Sequence, residues 1–595
     1  MNNITKAFFT FIIVLMTVYS CKKTPKGNVD TGGDNNTGST NVPPASTGNT
    51  ASTLIKGTDP DVTSTQGFFL DAWLPRTFSA PSTVSTVSKP TASDVGVSVD
   101  LSKIITKTSP YIFGNNTNPF MGQMTDQPTL INNISALSPN ILRFPGGSLS
   151  DIYFWNGADG QSPADAPAQL LDANGTASNA GYWYGNNPAS WTMTLDHYYQ
   201  ALQQTHSTGL ITVNYGYARY GTGPHPDQAA AHLAANWVRY DNGRTKYWEI
   251  GNENFGNWEA GYRINTAANQ DGQPAVLTPQ LYGTHFKVFA DSMRAAAAQV
   301  GATIHIGIVL TEANDNSNSS GISNWNAGVL SAAGNSPDFF VVHNYYTPYN
   351  QNSTPDVILN TPVPATLSTV SWVKSSAQSA SVTQKPVALD EYNIFATGSN
   401  QMVSNIAGIH GVMVLGEALK NQISMASRWD LANGWSNGDD MGMFNNSSQT
   451  NGAEPGAAAW SPRPAYYYYY YFQKYFGDRM VSSTVTGSSD ILSYASSFTS
   501  GQAGVILVNK GSTEHTVALA ISNFLPGTNY YFYLLQGGTD ATFSRKVMVN
   551  GHGPAGASGG PDGFTGIPPA SGAQSGGIKI TIPAYSVIYL VADAK

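Results

Sequence analysis

Between residues 95 and 475 the chain repeats one unit: a short apolar run, then a longer segment. The runs are Ser109–Asn116, Asn140–Gly147, Gly209–Gly216, Lys246–Glu253, Thr303–Leu310, Asp338–Tyr346, Pro386–Asn393 and Gln422–Asp430. Each has strand length and is rich in β-branched or aromatic residues. The segments between them include Gln228–Tyr240 and Leu281–Val300, the second with apolar residues at helical spacing. Parallel neighbours need a crossover that carries the chain back to the same end of the sheet. Eight strands so connected predict a (β/α)8 barrel over 95–475. After residue 475 the texture changes. Ile491–Ser497, Ala503–Asn509, Glu514–Ile521, Thr528–Leu535, Gly577–Ile582 and Ser586–Ala592 are strand-like, and no helical stretch separates them. They predict an all-β sandwich over 476–595, with the Gly/Pro-rich stretch 551–576 as an exposed loop. The aromatic run Tyr466–Tyr471 reads as the packed face of the barrel's last helix.

The amino-terminal part is different in kind. Met1–Lys6 is weakly basic, Ala7–Met16 is a short apolar run, and Val18-Tyr19-Ser20-Cys21 follows. The run is too short for a comfortable membrane span. Residues 1–21 resemble a bacterial lipoprotein signal, whose processing leaves a lipidated cysteine at the new amino terminus. An ordinary signal peptide with an incidental cysteine is the alternative. The resemblance implies a lipid anchor at Cys21 in the cell envelope of a Gram-negative bacterium. Residues 22–65 are Gly, Ser, Thr, Asn and Pro with almost no large apolar side chain, the composition of a tether. Residues 66–94 precede the barrel and are expected to pack on the sandwich.

Composition narrows the function classes. Cys21 is the one cysteine, so an intrachain disulfide and a cysteine-based zinc site are excluded. Charged residues are 11 % of the 595, against roughly 25 % in an average soluble protein, and the net charge is −8. A mildly acidic chain without basic runs is a poor nucleic-acid binder. With 31 Tyr and 12 Trp, it leans towards neutral carbohydrate.

Chemistry in a (β/α)8 barrel sits at the carboxyl ends of the strands. The fourth run ends Glu249-Ile250-Gly251-Asn252-Glu253, and the seventh ends Leu389-Asp390-Glu391-Tyr392-Asn393. Each brings a glutamate to the barrel lip. Two carboxylates facing one cavity meet the need of glycosidic hydrolysis, where one protonates the leaving oxygen and the other attacks or positions water. Their pKa values must be pushed apart for one to be acid and one anion. By strand alternation Glu249 shares the side of Glu253 but sits deeper, as a buried paired residue. Asp390 has opposite parity to Glu391 and reads as structural.

Here the sequence resembles the retaining glycoside hydrolases of clan A. The motifs are Ile141-Leu142-Arg143-Phe144-Pro145-Gly146-Gly147, Trp248-Glu249-Ile250-Gly251-Asn252-Glu253 and Leu389-Asp390-Glu391-Tyr392-Asn393, with Ala235–Tyr240 before the fourth run. The nearest pattern is that of the family 51 α-L-arabinofuranosidases and related endoglycanases. The resemblance implies that Glu253 is the general acid/base and Glu391 the nucleophile. It implies that Asn252 bonds the sugar 2-hydroxyl, that Arg143 keeps Glu391 ionised, and that Tyr345 bonds the nucleophile. His343 would line the cavity, and Trp429 would be the platform under the sugar. No metal or organic cofactor is implied, and the partner is an oligo- or polysaccharide. Two positions depart from the family pattern: Ser148 stands where Asn is common, and Tyr392 where Trp is common. Both are expected near the substrate. An endo-acting β-glycanase (glucanase, xylanase or agarase) is the alternative within the clan. A non-catalytic glycan-binding lipoprotein is the alternative outside it, and the intact glutamate pair argues against that one.

Overall fold

The computed structural model describes residues 54–314, 321–446 and 453–595. Cys21, the signal segment and the tether up to residue 53 lie outside the described residues. Among the described residues no helix is long and apolar enough to cross a membrane.

Eight strands close a parallel barrel: β1 (Gly114–Asn116), β2 (Ile141–Phe144), β3 (Thr208–Val213), β4 (Tyr247–Ile250), β5 (His305–Val309), β6 (Phe339–Asn344), β7 (Val387–Tyr392) and β8 (Met425–Arg428). Seven of the expected runs contain one of them whole, and the third, Gly209–Gly216, covers β3 except its first residue, Thr208. The barrel closes where Ser427 of β8 lies opposite Gly114 of β1. A Cβ at Gly114 would stand 2.5 Å from Ser427 Oγ and 2.7 Å from the Ala426 carbonyl oxygen, so only glycine lets the first and last strands meet this closely. Helices Pro226–Asp241 and Pro279–Gln299 are two of the crossovers, each with Pro in its first turn, where the missing N–H costs nothing. Thr278 caps the second by accepting a hydrogen bond from the Leu281 amide.

The carboxyl-terminal domain is one eleven-stranded sheet. Residues from both ends of its strand order, Phe532 and Ala570 at one and Leu519 and Ile580 at the other, share one apolar core with Val505 and Leu590. The sheet is therefore folded over into two layers. Alternation is plain in His515–Ser522, where Val517, Leu519 and Ile521 are buried. Helix Pro464–Tyr475 joins the domains, with Tyr466, Tyr468 and Tyr469 fully buried. The Tyr589 hydroxyl of the sandwich donates to the Tyr468 carbonyl at 2.7 Å.

The structure corrects four boundaries. The 13-residue strand Val95–Lys107, assigned by sequence to the barrel, belongs to the sandwich sheet, between Arg479–Thr486 and His515–Ser522. Its alternating Val95, Val97 and Val99 fill the sandwich core, so burial, not chain order, decides its place. Residues 66–94 divide their packing. Phe68 and Phe69 seal the amino-terminal end of the barrel against Tyr247 and Phe339, while Ser85–Thr86 pairs with Ala570–Ser571 of the sandwich. Residues 54–65, expected as tether, are tied down: the Ile55 amide donates to Asn523 Oδ1 at 3.1 Å, and Asp59 pairs with Arg479 at 2.6 Å. The stretch 551–576 is more than a loop, since it ends in the strand Ala570–Ala573 and its Phe564 packs edge-on against Tyr466, Tyr467 and Tyr470.

Candidate active site

Arg143, at the end of β2, is fully buried and organises the carboxyl-terminal mouth of the barrel. Its Nε donates to Glu249 Oε2 at 2.9 Å and lies 3.3 Å from Asp390 Oδ2. Its Nη1 donates to Glu391 Oε1 at 2.7 Å and to Asn116 Oδ1 at 3.0 Å, and its Nη2 donates to Asn252 Oδ1 at 2.9 Å. Burial works against its charge, but Glu249, Asp390 and Glu391 outweigh that and raise its pKa further, so the guanidinium is permanently cationic.

The two glutamates reach the mouth by different routes. Beyond β4, Gly251 at φ 76° and Glu253 at φ 41° turn the chain inward. For glutamate this left-handed backbone is uncommon and costs energy that the surroundings must hold. Glu391 stands within β7 itself. The register shifts there: Leu389 faces Val342 and Glu391 faces His343 across β6, leaving Asp390 as the extra residue of a bulge. A bulge cancels alternation locally. Asp390, expected by parity to turn away, therefore joins Glu391 on the same cluster, reaching both Arg143 and His343.

His343, on β6, bridges the set. Its Nδ1 lies 2.9 Å from Glu253 Oε1 and 3.5 Å from Glu391 Oε2, and its Nε2 lies 3.0 Å from Asp390 Oδ1. Burial opposes a charged imidazole, but Glu391, Asp390 and Glu253 around it raise its pKa well above the usual range. The same contact acts in reverse on Glu253: burial disfavours the anion, yet the hydrogen bond and charge of His343 bring its pKa below the ordinary value. Tyr345 donates to Glu391 Oε2 at 2.9 Å. One oxygen of Glu253, one of Glu391 and a His343 nitrogen all lie within 4.8 Å of one another. Glu249 is pushed by burial up to about 8 despite Arg143, and Thr212 donates to it at 2.8 Å.

The structure thus gathers Arg143, Asn252, Glu253, His343, Tyr345 and Glu391 into one hydrogen-bonded network. Trp429 borders it: a Cβ at Gly147 would lie 2.5 Å from the indole Cη2, so the glycine leaves room for the ring over the Pro-Gly-Gly turn. Ser148 is exposed at this turn. Tyr392 is not near the substrate space. It is 1 % exposed and shares a 2.9 Å hydrogen bond with Tyr469 of the last helix, because alternation puts it on the outer side of β7 when Glu391 is inside.

Sequence reasoning missed Asp151, Trp258 and Glu259. Asp151 Oδ1 accepts from the amides of Tyr215 and Gly216, and its Oδ2 from the Asn252 amide and Asn254 Nδ2. It thereby ties the turn after β2 to those after β3 and β4. Trp258 donates its indole N–H to Glu253 Oε2 at 3.2 Å and is 48 % exposed. Glu259 accepts from Ser148 and Asn252. The signal for the last two was their place, five and six residues beyond Glu253 in the same loop. Beside them, Tyr349 stacks on Phe395, with centroids 4.6 Å apart, and Phe395 meets Tyr345 edge-on.

Two triads, Glu249/His343/Asp390 and Glu253/His343/Glu391, have the clustering of metal ligands. In both, a cation is already in place. Arg143 lies between Glu249 and Asp390, and His343 itself bears positive charge between the other two carboxylates. The donor set therefore fits proton transfer better than a divalent ion.

No protein-family model matches the chain, and no curated protein matches it in sequence. Solved structures do. An α-L-arabinofuranosidase from Thermotoga maritima in complex with arabinose aligns over 84 % of this chain and 99 % of its own, at 16 % identity and a TM-score of 0.55. A family 51 α-L-arabinofuranosidase from Bifidobacterium longum aligns over 84 % and 100 %, at 15 % identity and a TM-score of 0.58. A family 44 xyloglucanase from Paenibacillus polymyxa aligns over 84 % and 99 %, at 13 % identity and a TM-score of 0.52. At these identities the likeness is one of architecture: the chain has the (β/α)8-barrel and β-sandwich fold that these glycoside hydrolases share.

Proposed function

We propose that this protein is a retaining glycoside hydrolase of clan A type in which Glu391 is the nucleophile and Glu253 the general acid/base. One observation carries the reading: two glutamates on β7 and after β4 present oxygens within 4.8 Å of each other in unlike surroundings. The close approach favours retention, since retaining pairs stand about 5–5.5 Å apart and inverting pairs about 6.5–9.5 Å. Arg143 and Tyr345 hold Glu391 as an aimed anion. Its oxygen bonds to the anomeric carbon as the bond to the leaving oxygen breaks. The proton that the leaving oxygen needs is at hand on the His343 Nδ1···Glu253 Oε1 hydrogen bond. Passing along that bond, it makes Glu253 the acid and leaves the imidazole neutral. Esterified Glu391 no longer bears charge. Glu253, again an anion, takes a proton from water, which attacks the anomeric carbon and frees Glu391.

The substrate is an oligo- or polysaccharide, and an α-L-arabinofuranoside is the first candidate. The endo-acting alternative draws support from Trp191, Trp258 and Tyr349, each roughly half exposed on loops after β2, β4 and β6, where a longer glycan would pass. Purified protein on a panel of aryl glycosides and plant and algal polysaccharides tests the reading. Release of single sugars supports exo action and release of oligosaccharides endo action. No turnover on any substrate overturns the enzyme reading in favour of a glycan binder. We further propose anchoring through Cys21. Cys21→Ala leaves the membrane fraction or stays unprocessed, and a variant that fractionates and migrates like wild type refutes the anchor.

A further inference from the structure

Asn252 is held at both ends of its amide. Arg143 Nη2 donates to its Oδ1 at 2.9 Å, and its Nδ2 donates to Glu259 Oε1 at 3.1 Å, while its backbone N–H is taken by Asp151 at 3.3 Å. Glu259 fixes which way the amide faces, and one Nδ2 hydrogen is left over. The same Glu259 oxygen accepts from Ser148 Oγ at 2.7 Å. Glu259 is 3 % exposed, its Oε2 is buried with no hydrogen-bond partner among the described residues, and the charges nearest to it are the carboxylates Asp151 and Glu253. Asp151 accepts four N–H bonds, which oppose a burial that still pushes its pKa up to about 7. Glu259 accepts from Ser148 and Asn252, both on one oxygen.

We propose that Glu259, steadied by Ser148, is a positioning residue that orients the Asn252 amide so that its remaining N–H meets the 2-hydroxyl of the sugar at the cleavage point. This rests on the hydrolase reading of the site. Burial first, then Asp151 and Glu253, raise the Glu259 pKa well above the ordinary value, which favours the neutral acid. Its Oε1 is then a carbonyl acceptor, which a glutamine carbonyl reproduces. Ser148 stands where the family pattern commonly has Asn, so the chain from Ser148 through Glu259 to Asn252 is a specificity element of this protein.

The test compares Glu259→Ala, Glu259→Gln and Ser148→Ala with wild type, on the aryl glycoside that wild type cleaves fastest and on its 2-deoxy counterpart. Glu259→Ala is expected to lower kcat/KM on the 2-hydroxy substrate by about 10–100-fold, the worth of one strong hydrogen bond, and to leave the 2-deoxy rate little changed. Glu259→Gln restores most of the preference for the hydroxyl. Ser148→Ala, an exposed position that does not threaten folding, gives a smaller loss of the same sign. Equal slowing on both substrates by Glu259→Ala, or a Glu259→Gln variant as impaired as alanine, overturns the proposal. Binding of free L-arabinose and its 2-deoxy counterpart to each variant gives the same ratio without turnover. A wild type that hydrolyses nothing therefore refutes the hydrolase reading, while the binding ratio still decides the role of Glu259.

Discussion

The two ends of the same eight strands are built from opposite chemistry. At the amino-terminal end Phe68, Phe69, Tyr111, Tyr247 and Phe339 form a seal of rings, with Phe69 stacked 4.9 Å from Tyr247 and edge-on to Phe339 at 5.4 Å. At the carboxyl-terminal end four carboxylates, Glu249, Glu253, Asp390 and Glu391, gather around two basic side chains, Arg143 and His343. On β4 the change takes two residues, from Tyr247 to Glu249. The ring end gains by burial, and the imidazole stacked into it, His305 on Phe68 at 3.6 Å, has its pKa lowered by that burial. The carboxyl end has more acids than cations, and burial pushes one of those acids, Glu249, up to about 8. Stability and reactivity are thus separated along each strand, which is why a barrel can carry a costly charged site without unfolding.

The sharpest way to break this contrast is at Glu391. Glu391→Gly removes the anion that Arg143 and Tyr345 aim, and hydrolysis should fall by about 10⁴-fold or more, with the seal untouched. Glu253→Ala keeps the nucleophile and removes the proton donor. The loss should be about 10²–10⁴-fold on natural glycosides and much smaller for the first step of aryl glycosides with good leaving groups. Azide, which needs no base, should then speed turnover and give a glycosyl azide of retained configuration. Equal slowing on all substrates without an azide effect would remove Glu253 from the mechanism and bring Glu249 forward. At the other end, Phe69→Ala should cost about 3–5 kcal/mol of stability, read as a lower thermal midpoint, with kcat/KM of the folded protein unchanged. A catalytic defect there would show that the ends are coupled.

The smallest effect sharpens the comparison by pH. Glu249 keeps its proton up to about 8 in the folded protein, but loses it near 4.5 when unfolded. Between these values the folded state holds more protons than the unfolded one, so stability falls as pH rises through that window. His343, with its pKa raised, slopes the same way: its stabilisation is complete below its unfolded value and is lost as pH rises through the folded one. Glu249→Gln should flatten the decline of the thermal midpoint between about pH 5 and 8. An unchanged slope would mean that Glu249 is ionised in the fold.

Much of this was legible in the sequence because burial writes itself as apolar runs. Seven barrel strands lie inside such runs and the eighth, β3, overruns its run by Thr208 alone, and the Gly-Asn-Glu and Asp-Glu-Tyr-Asn motifs stand at the lip of the barrel. What was hidden depends on closure in space. Val95–Lys107 reads as any strand does, and only its partners show it to be sandwich. Asp390 defeated alternation because a bulge leaves no mark in residue types. Glu259 sits in an irregular loop, where periodicity gives no direction, and its link to Ser148 spans 111 positions. Tyr392 was misplaced for the opposite reason: a motif comparison drew it to the substrate, while alternation alone would have turned it outward.

Double displacement by Glu391 and Glu253, as proposed, fixes the configuration of the first product. Proton NMR of that product, released from the best substrate and read before the free sugar equilibrates its anomers, decides the matter. The anomer of the substrate should appear at the earliest times, followed by slow mutarotation. The opposite anomer appearing first would rule out double displacement, even with hydrolysis established.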